Sequence, residues 1–198
     1  MTSRLQPLRT QIASHTPLDA TEAAHRQRML CLTDAGIAGG EDPLARSSFA
    51  PGHFTASSFV LDPELGSVLL ILHAKLGFWM QPGGHIDPDD PCVLTAARRE
   101  VGEETGLHEL TPWPPAGEVG FLDLDIHPIP GRRNEPAHEH FDLRFLFISA
   151  TTALVDCDEV RDARWVPLDR FETIRSDASV MRAVVRIRRL LRERLSQP

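Results

Sequence analysis

The pattern of apolar and polar positions divides the chain into a helical beginning, a strand-rich middle and a helical end. Apolar residues at every second position mark a half-buried strand, and recurrence at three- and four-residue spacing marks an amphipathic helix. Phe141, Leu143, Phe145 and Phe147 share one face by period two, with Asp142 and Arg144 on the other, so 141–148 is read as a strand. Phe54–Leu61 is extended in character, Asp62–Gly66 is a turn, and Ser67–His73 is an apolar run suited to a buried strand. Gly117–Ile126 and Ala163–Val166 complete the predicted strands, and the proline-bearing stretch His127–His140 is read as a loop. Val180, Val184, Ile187, Leu191 and Leu195 form the stripe of a closing helix.

The first fifty residues are predicted helical. Thr16 and Pro17 suit a cap and first position, the run continues to Ala35, and Gly36 can end it. A turn-rich linker follows to about Gly52. Between the strands, Asp90 can cap a helix, Pro91 can open it and Gly106 can end it, giving a helix over about 91–105. Strands interrupted by one helix and closed by another predict an α/β chain, with a mixed sheet packed between helices. The division expected is a helical extension over 1–50 and a main domain over 53–195.

Composition narrows the function. A chain of 198 residues with 41% hydrophobic content can build an ordinary core. No apolar run reaches membrane-spanning length, and Met1–Thr10 lacks the basic-then-apolar form of a signal peptide, which predicts a cytoplasmic protein without a membrane partner. A net charge of −7 argues against nucleic acid as a partner. Cys31, Cys92 and Cys157 are few and widely spaced, so free, mostly buried thiols are expected. The arginines between Arg182 and Arg194 read as a solvated helix face, with a phosphate or partner patch as the alternative.

The chemistry concentrates in 81–107, QPGGHIDPDDPCVLTAARREVGEETGL. On the predicted helix Val93, Leu94, Ala97 and Val101 form the apolar face, and Glu100, Glu103 and Glu104 crowd one flank. Like charges one turn apart oppose helix formation by about 0.2–0.5 kcal/mol per pair. Glu103 and Glu104 also sit in the last turn, where the macrodipole favours cations. A bound divalent cation removes both penalties, and carboxylate oxygen is the ligand Mg²⁺ prefers.

Gly84 followed by Arg99-Glu100-Val101-Gly102-Glu103-Glu104-Thr105-Gly106-Leu107 resembles the Nudix box, G-x5-E-x7-R-E-U-x-E-E-x-G-U with U apolar. The second half matches at every position. The first half carries one extra residue between Gly84 and Arg99, so Asp90 or Asp89 stands where the family has its first glutamate. The resemblance implies an α/β/α sandwich and Mg²⁺- or Mn²⁺-dependent hydrolysis of a nucleoside diphosphate linked to another group. It further implies metal binding by Glu100, Glu103, Glu104 and the Gly84 backbone. Glu100, Glu103 and Arg99 form the expected catalytic set, with Arg99 orienting a carboxylate. Glu100 or Glu103 would be the base, with Glu135, Glu139 and Asp142 as candidates outside the box. The altered spacing also admits a nucleotide-sensing domain without turnover.

Around the box, Arg144 is the first candidate for a substrate-phosphate contact and Arg132 and Arg133 are weaker ones. Phe78 or Trp79 could stack on a base. His85, His138 and His140, with His73 and His127 at strand ends, are read either as a phosphate- or metal-binding group or as locally bonded histidines. The N-terminal helices suit a homodimer interface or a lid over the site.

Overall fold

A computed structural model describes residues 2–72, 77–114, 119–155 and 160–196. His73, Gly117 and Cys157 lie outside the described residues. The helices are α1 (Thr2–Ser14), α2 (Ala20–Ile37), α3 (Val93–Thr105) and α4 (Ala178–Leu195). The strands are β1 (Gly52–Leu61), β2 (Ser67–Leu72), β3 (Trp79–Met80), β4 (Gly83–His85), β5 (Leu110–Pro112), β6 (Asp123–Ile129), β7 (His138–Ser149) and β8 (Ala163–Pro167).

The eight strands form one mixed sheet with the path β3-β2-β1-β7-β5; β4 pairs with β1, β6 with β7 and β8 with β2. Its spine is the parallel pair β1–β7, running from Gly52 opposite Glu139 to Leu61 opposite Ile148. Every residue of β1 is buried, as a strand covered on both faces requires. On one face Phe54, Ala56, Phe141, Leu143, Phe145 and Phe147 share a core with Val93, Ala97 and Val101 of α3 and with Leu5, Leu8, Ile12 and Met29 of α1 and α2. On the other, Phe59, Leu61, Val68, Leu70 and Leu146 pack against Val180, Ala183, Val184 and Ile187 of α4. The architecture is the expected α/β/α sandwich.

Local boundaries differ where the chain's chemistry has two uses. The first fifty residues form two helices. Asp19 caps α2 by accepting from the Glu22 amide at 2.8 Å, and the helix ends at Ala38. The predicted loop over 127–140 is shorter, 130–137, and its two ends are strand, because Asp123–Ile129 pairs antiparallel with His138–Arg144. Of the prolines that suggested a loop, Pro128 lies in β6 opposite Glu139, and Pro130 and Pro136 lie in the connection between the strands. Helix α3 begins at Val93 after Cys92, which makes no side-chain cap bond, and ends at Gly106 in the left-handed region, φ 75°. Cys31 and Cys92 are exposed, against the expectation of buried thiols.

The basic C-terminal run is only in part a solvated face: Arg189, Arg192 and Arg194 are exposed, whereas the others reach inward or across to other elements. Arg182 bonds both oxygens of Asp123 at 2.9 Å, and Arg186 bonds the fully buried Glu22 at 2.8 and 2.9 Å. Arg188 pairs with Glu172, and Arg194 stacks over Trp113. Arg182 and Arg186 thus run inward from α4 to clamp the sheet and the N-terminal helices. No helix among the described residues is long and apolar enough to cross a membrane.

Candidate active site

The site is built where β4 passes the last two turns of α3. β4 pairs with β1, Gly84 opposite Ala56 and His85 opposite Thr55. A Cβ at Gly84 would stand 2.5 Å from a Glu100 carboxylate oxygen, so any larger residue here displaces that carboxylate. The Gly83 amide donates to Glu104 Oε2 at 2.9 Å. Strand and helix therefore meet through carboxylates rather than through apolar packing.

Arg99 organises the group. Its Nη1 donates to Glu100 Oε1 and Glu103 Oε2, both at 2.9 Å. Its Nη2 donates to the His85 carbonyl at 2.9 Å and to Asp90 Oδ2 at 3.0 Å. The planar five-donor guanidinium suits this divergent demand, which an ammonium could not meet. These carboxylates hold the Arg99 pKa above its ordinary value, Asp90 contributing most. Burial raises the Glu100 pKa, and Arg99 only partly offsets it. Glu103 is the most open of the set, with its side chain 51% exposed.

The extra residue in the loop is absorbed at Asp90. Its buried carboxylate accepts from Arg99 and from the Asp87 amide, whereas Asp89 is exposed. Asp90 thus takes the arginine contact and does not cap α3. Arg4 of α1 donates to the carbonyls of Asp87 and Asp90 at 3.1 and 3.0 Å, so the N-terminal helix holds this turn from outside.

The model for the NUDIX domain matches residues 52–186. The chain belongs to the Nudix family. Among its Nudix relatives, the CMP-5'-(N-acetyl-N-hydroxy-3-aminopropyl)phosphonate hydrolase of Streptomyces rubellomurinus is 30% identical over 163 residues, covering 79% of this chain and 72% of the relative. A Nudix-family hydrolase from Clostridium perfringens superposes with a TM-score of 0.52 at 25% identity, covering 70% of this chain and 97% of that one. The NUDIX domain of Shewanella oneidensis NrtR, solved with ADP ribose, superposes with a TM-score of 0.50 at 18% identity, covering 72% and 88%. The chain is thus a Nudix pyrophosphohydrolase, of a family that hydrolyses nucleoside diphosphate derivatives.

Residues expected near the Nudix box fall in three places. Glu100, Glu103, Glu104, Arg99 and Gly84 come together. Phe78 lies half-buried with the Arg175 guanidinium 4.5 Å from its ring, while Trp79 is core, beneath Arg164. Arg144 is a correction. It is 2% exposed and donates to Asp142 at 2.9 Å, to Asp123 and Asp125 at 3.1 Å and to Ser179 at 3.0 Å. An arginine so surrounded has no free edge for a phosphate, and its pKa lies above the ordinary value despite burial. Sequence reasoning missed Asp123 and Asp125, which face Arg144 across β6–β7. The His85 ring joins that of His140, as one of its two readings had it, and that of His53, which sequence reasoning missed, on the face of β4 opposite Glu100.

Proposed function

We propose that this Nudix hydrolase cleaves the phosphoanhydride bond of a nucleoside diphosphate linked to another group, with Mg²⁺ or Mn²⁺ held by Glu100, Glu103, Glu104 and the Gly84 carbonyl. The observation that carries this is the gathering of three carboxylates around the glycine strand, with Arg99 donating to Glu100 and Glu103 and the Gly83 amide to Glu104. One guanidinium leaves the group with excess negative charge, and its all-oxygen donor set suits a hard divalent cation. Such an ion, when bound, lowers the pKa of water and stabilises charge developing on the transferred phosphoryl group.

The chain's own residues supply the rest. Arg99 fixes the directions of Glu100 and Glu103, and Gly83 fixes Glu104. The proton of the attacking water passes to Glu100 or Glu103. The candidates outside the box are engaged elsewhere: Asp142 accepts from Thr55, Ser57 and Arg144, Glu139 pairs with Arg28, and Glu135 lies 3.9 Å from Arg46. Asp90 meets Arg99 in spite of the added residue, which supports turnover over nucleotide sensing alone.

The likeness to a hydrolase of a CMP-linked phosphonate makes a nucleoside monophosphate joined to a phosphonyl or phosphoryl group the leading substrate class. The test is nucleoside-monophosphate release from CMP-linked phosphonates, nucleotide sugars, ADP-ribose and dinucleoside polyphosphates with Mg²⁺ or Mn²⁺. Turnover by the wild type and its loss in Glu103→Gln are expected. Silence across the panel, or unchanged turnover in Glu103→Gln, overturns the proposal.

A further inference from the structure

On the face of β4 turned away from the carboxylates, three strands place imidazoles together. His53 of β1 stands opposite His140 of β7 in the parallel ladder, and His85 of β4 pairs with Thr55, two residues along β1. The ring centroids are 4.9 Å apart for His53–His140, 5.2 Å for His53–His85 and 5.5 Å for His85–His140. One nitrogen from each ring lies within 4.8 Å of the other two. Ions held at about 2.0–2.1 Å by imidazole nitrogens draw such atoms to roughly 3.4 Å apart, so small side-chain rotations complete the approach.

A second observation points to a ligand. His53 is 1% exposed, and its Nδ1 lies 3.0 Å from the Ser48 carbonyl. A carbonyl only accepts, so Nδ1 carries the proton and Nε2 presents a lone pair. That Nε2 is buried and has no hydrogen-bond partner among the described residues. Buried polar atoms are nearly always satisfied, and an exception calls for a missing partner. A metal-ligating histidine characteristically donates its other ring N–H to a carbonyl, as His53 does to Ser48. At pH 7, above the ordinary imidazole pKa of about 6.5, neutral rings are available.

We propose that His53, His85 and His140 bind one borderline divalent transition-metal ion of the Zn²⁺ type, at a site separate from the carboxylates of the Nudix box. Three neutral nitrogen donors suit Zn²⁺, Co²⁺ or Ni²⁺ and disfavour Mg²⁺, which takes oxygen. His138 stacks on His53 at 5.0 Å and 28°, and His127 packs edge-on to His140, so imidazole walls surround the triad. The His85 carbonyl accepts from Arg99, so this ion anchors the strand on which the acidic group rests.

The test is titration of tag-free, chelator-treated protein with Co²⁺ in excess Mg²⁺. One equivalent is expected to develop the visible bands of Co²⁺ in a low-coordinate nitrogen site, and Zn²⁺ is expected to displace it. Glu103→Gln should bind Co²⁺ like the wild type. His85→Ala and His140→Ala, each checked for folding by circular dichroism, should bind at least a hundredfold more weakly. The wild-type titration stands on its own: absence of saturable one-equivalent binding overturns the proposal. Loss of the bands in Glu103→Gln, or their retention in both folded histidine variants, overturns it equally.

Discussion

Replacing Glu22 with alanine tests whether the N-terminal helices are structural parts of the hydrolase. Glu22 is fully buried, although it lies in the first turn of α2. Its carboxylate accepts from His15 Nε2 at 2.6 Å, from the Leu124 amide at 3.1 Å and from Arg186, and it also bonds the Leu18 amide. One side chain thereby joins α1's exit, α2, β6 and α4. Removing one partner of a buried ion pair costs about 3–5 kcal/mol, because the cation is left uncompensated. At about 2–4 °C per kcal/mol for a domain of this size, that lowers Tm by roughly 6–20 °C. Burial alone would raise the Glu22 pKa, but the bonds from His15 and Leu18 and the charge of Arg186 hold it below the ordinary value. A depressed folded pKa stabilises fully above the unfolded value, about 4.3, and this is lost as pH falls through the folded value. Urea unfolding of wild type and Glu22→Ala at pH 7 and pH 3.5 should therefore give a gap that narrows in acid. A gap below about 1 kcal/mol at pH 7, against the 3–5 kcal/mol expected, would refute the reasoning.

Other expectations follow from the same contacts. Glu103→Gln should lower kcat about 10²–10³-fold, the equivalent of several kcal/mol of lost charge stabilisation. Its apo Tm should stay within about 2 °C of wild type, because Glu103 is half exposed. Gly84→Ala should fold yet lose most activity in a steady-state assay, because the added Cβ displaces Glu100. Arg99→Lys should cost about 10–100-fold in activity or Mn²⁺ affinity by calorimetry, because an ammonium cannot reach both Asp90 and the box carboxylates. Arg144→Met should destabilise by about 3–5 kcal/mol at pH 7, leaving buried carboxylates without their central cation. In the wild type, burial pushes the Asp125 pKa upward, but the bond from His127 and the charges of Arg144 and Arg182 bring it well below the ordinary value. The Arg144→Met deficit in urea unfolding should accordingly shrink as pH falls below about 4 and the wild type loses this stabilisation.

How much was legible depended on whether the signal was local. The period-two run of β7 and the stripe of α4 declared themselves because each is written in consecutive residues. The acidic end of α3 did so too, since helical spacing alone brings Glu100, Glu103 and Glu104 to one flank. His53 was invisible for the opposite reason. It lies next to His140, 87 positions further on, only because β1 and β7 run parallel, a pairing that neither segment encodes by itself. Arg144 misled because an arginine on the polar side of a strand looks exposed until Asp123 and Asp125 are brought opposite it by β6. Four arginines of α4 misled in the same way: counted along the chain they belong to a surface patch, and in space Arg182, Arg186, Arg188 and Arg194 each meet a carboxylate or ring from another element.

Strand β4 is only three residues long, yet Gly84 and His85 present opposite faces to two different groups of side chains. Alternation along a strand means that a slip of one residue exchanges those faces. Such a slip would drive an imidazole into the space that admits no more than a hydrogen atom beside Glu100. It would also withdraw the third nitrogen from His53 and His140. A single coordinate, the register of β4 on β1, is therefore shared by the acidic and the imidazole groups, and neither can be retuned by moving this strand without dismantling the other.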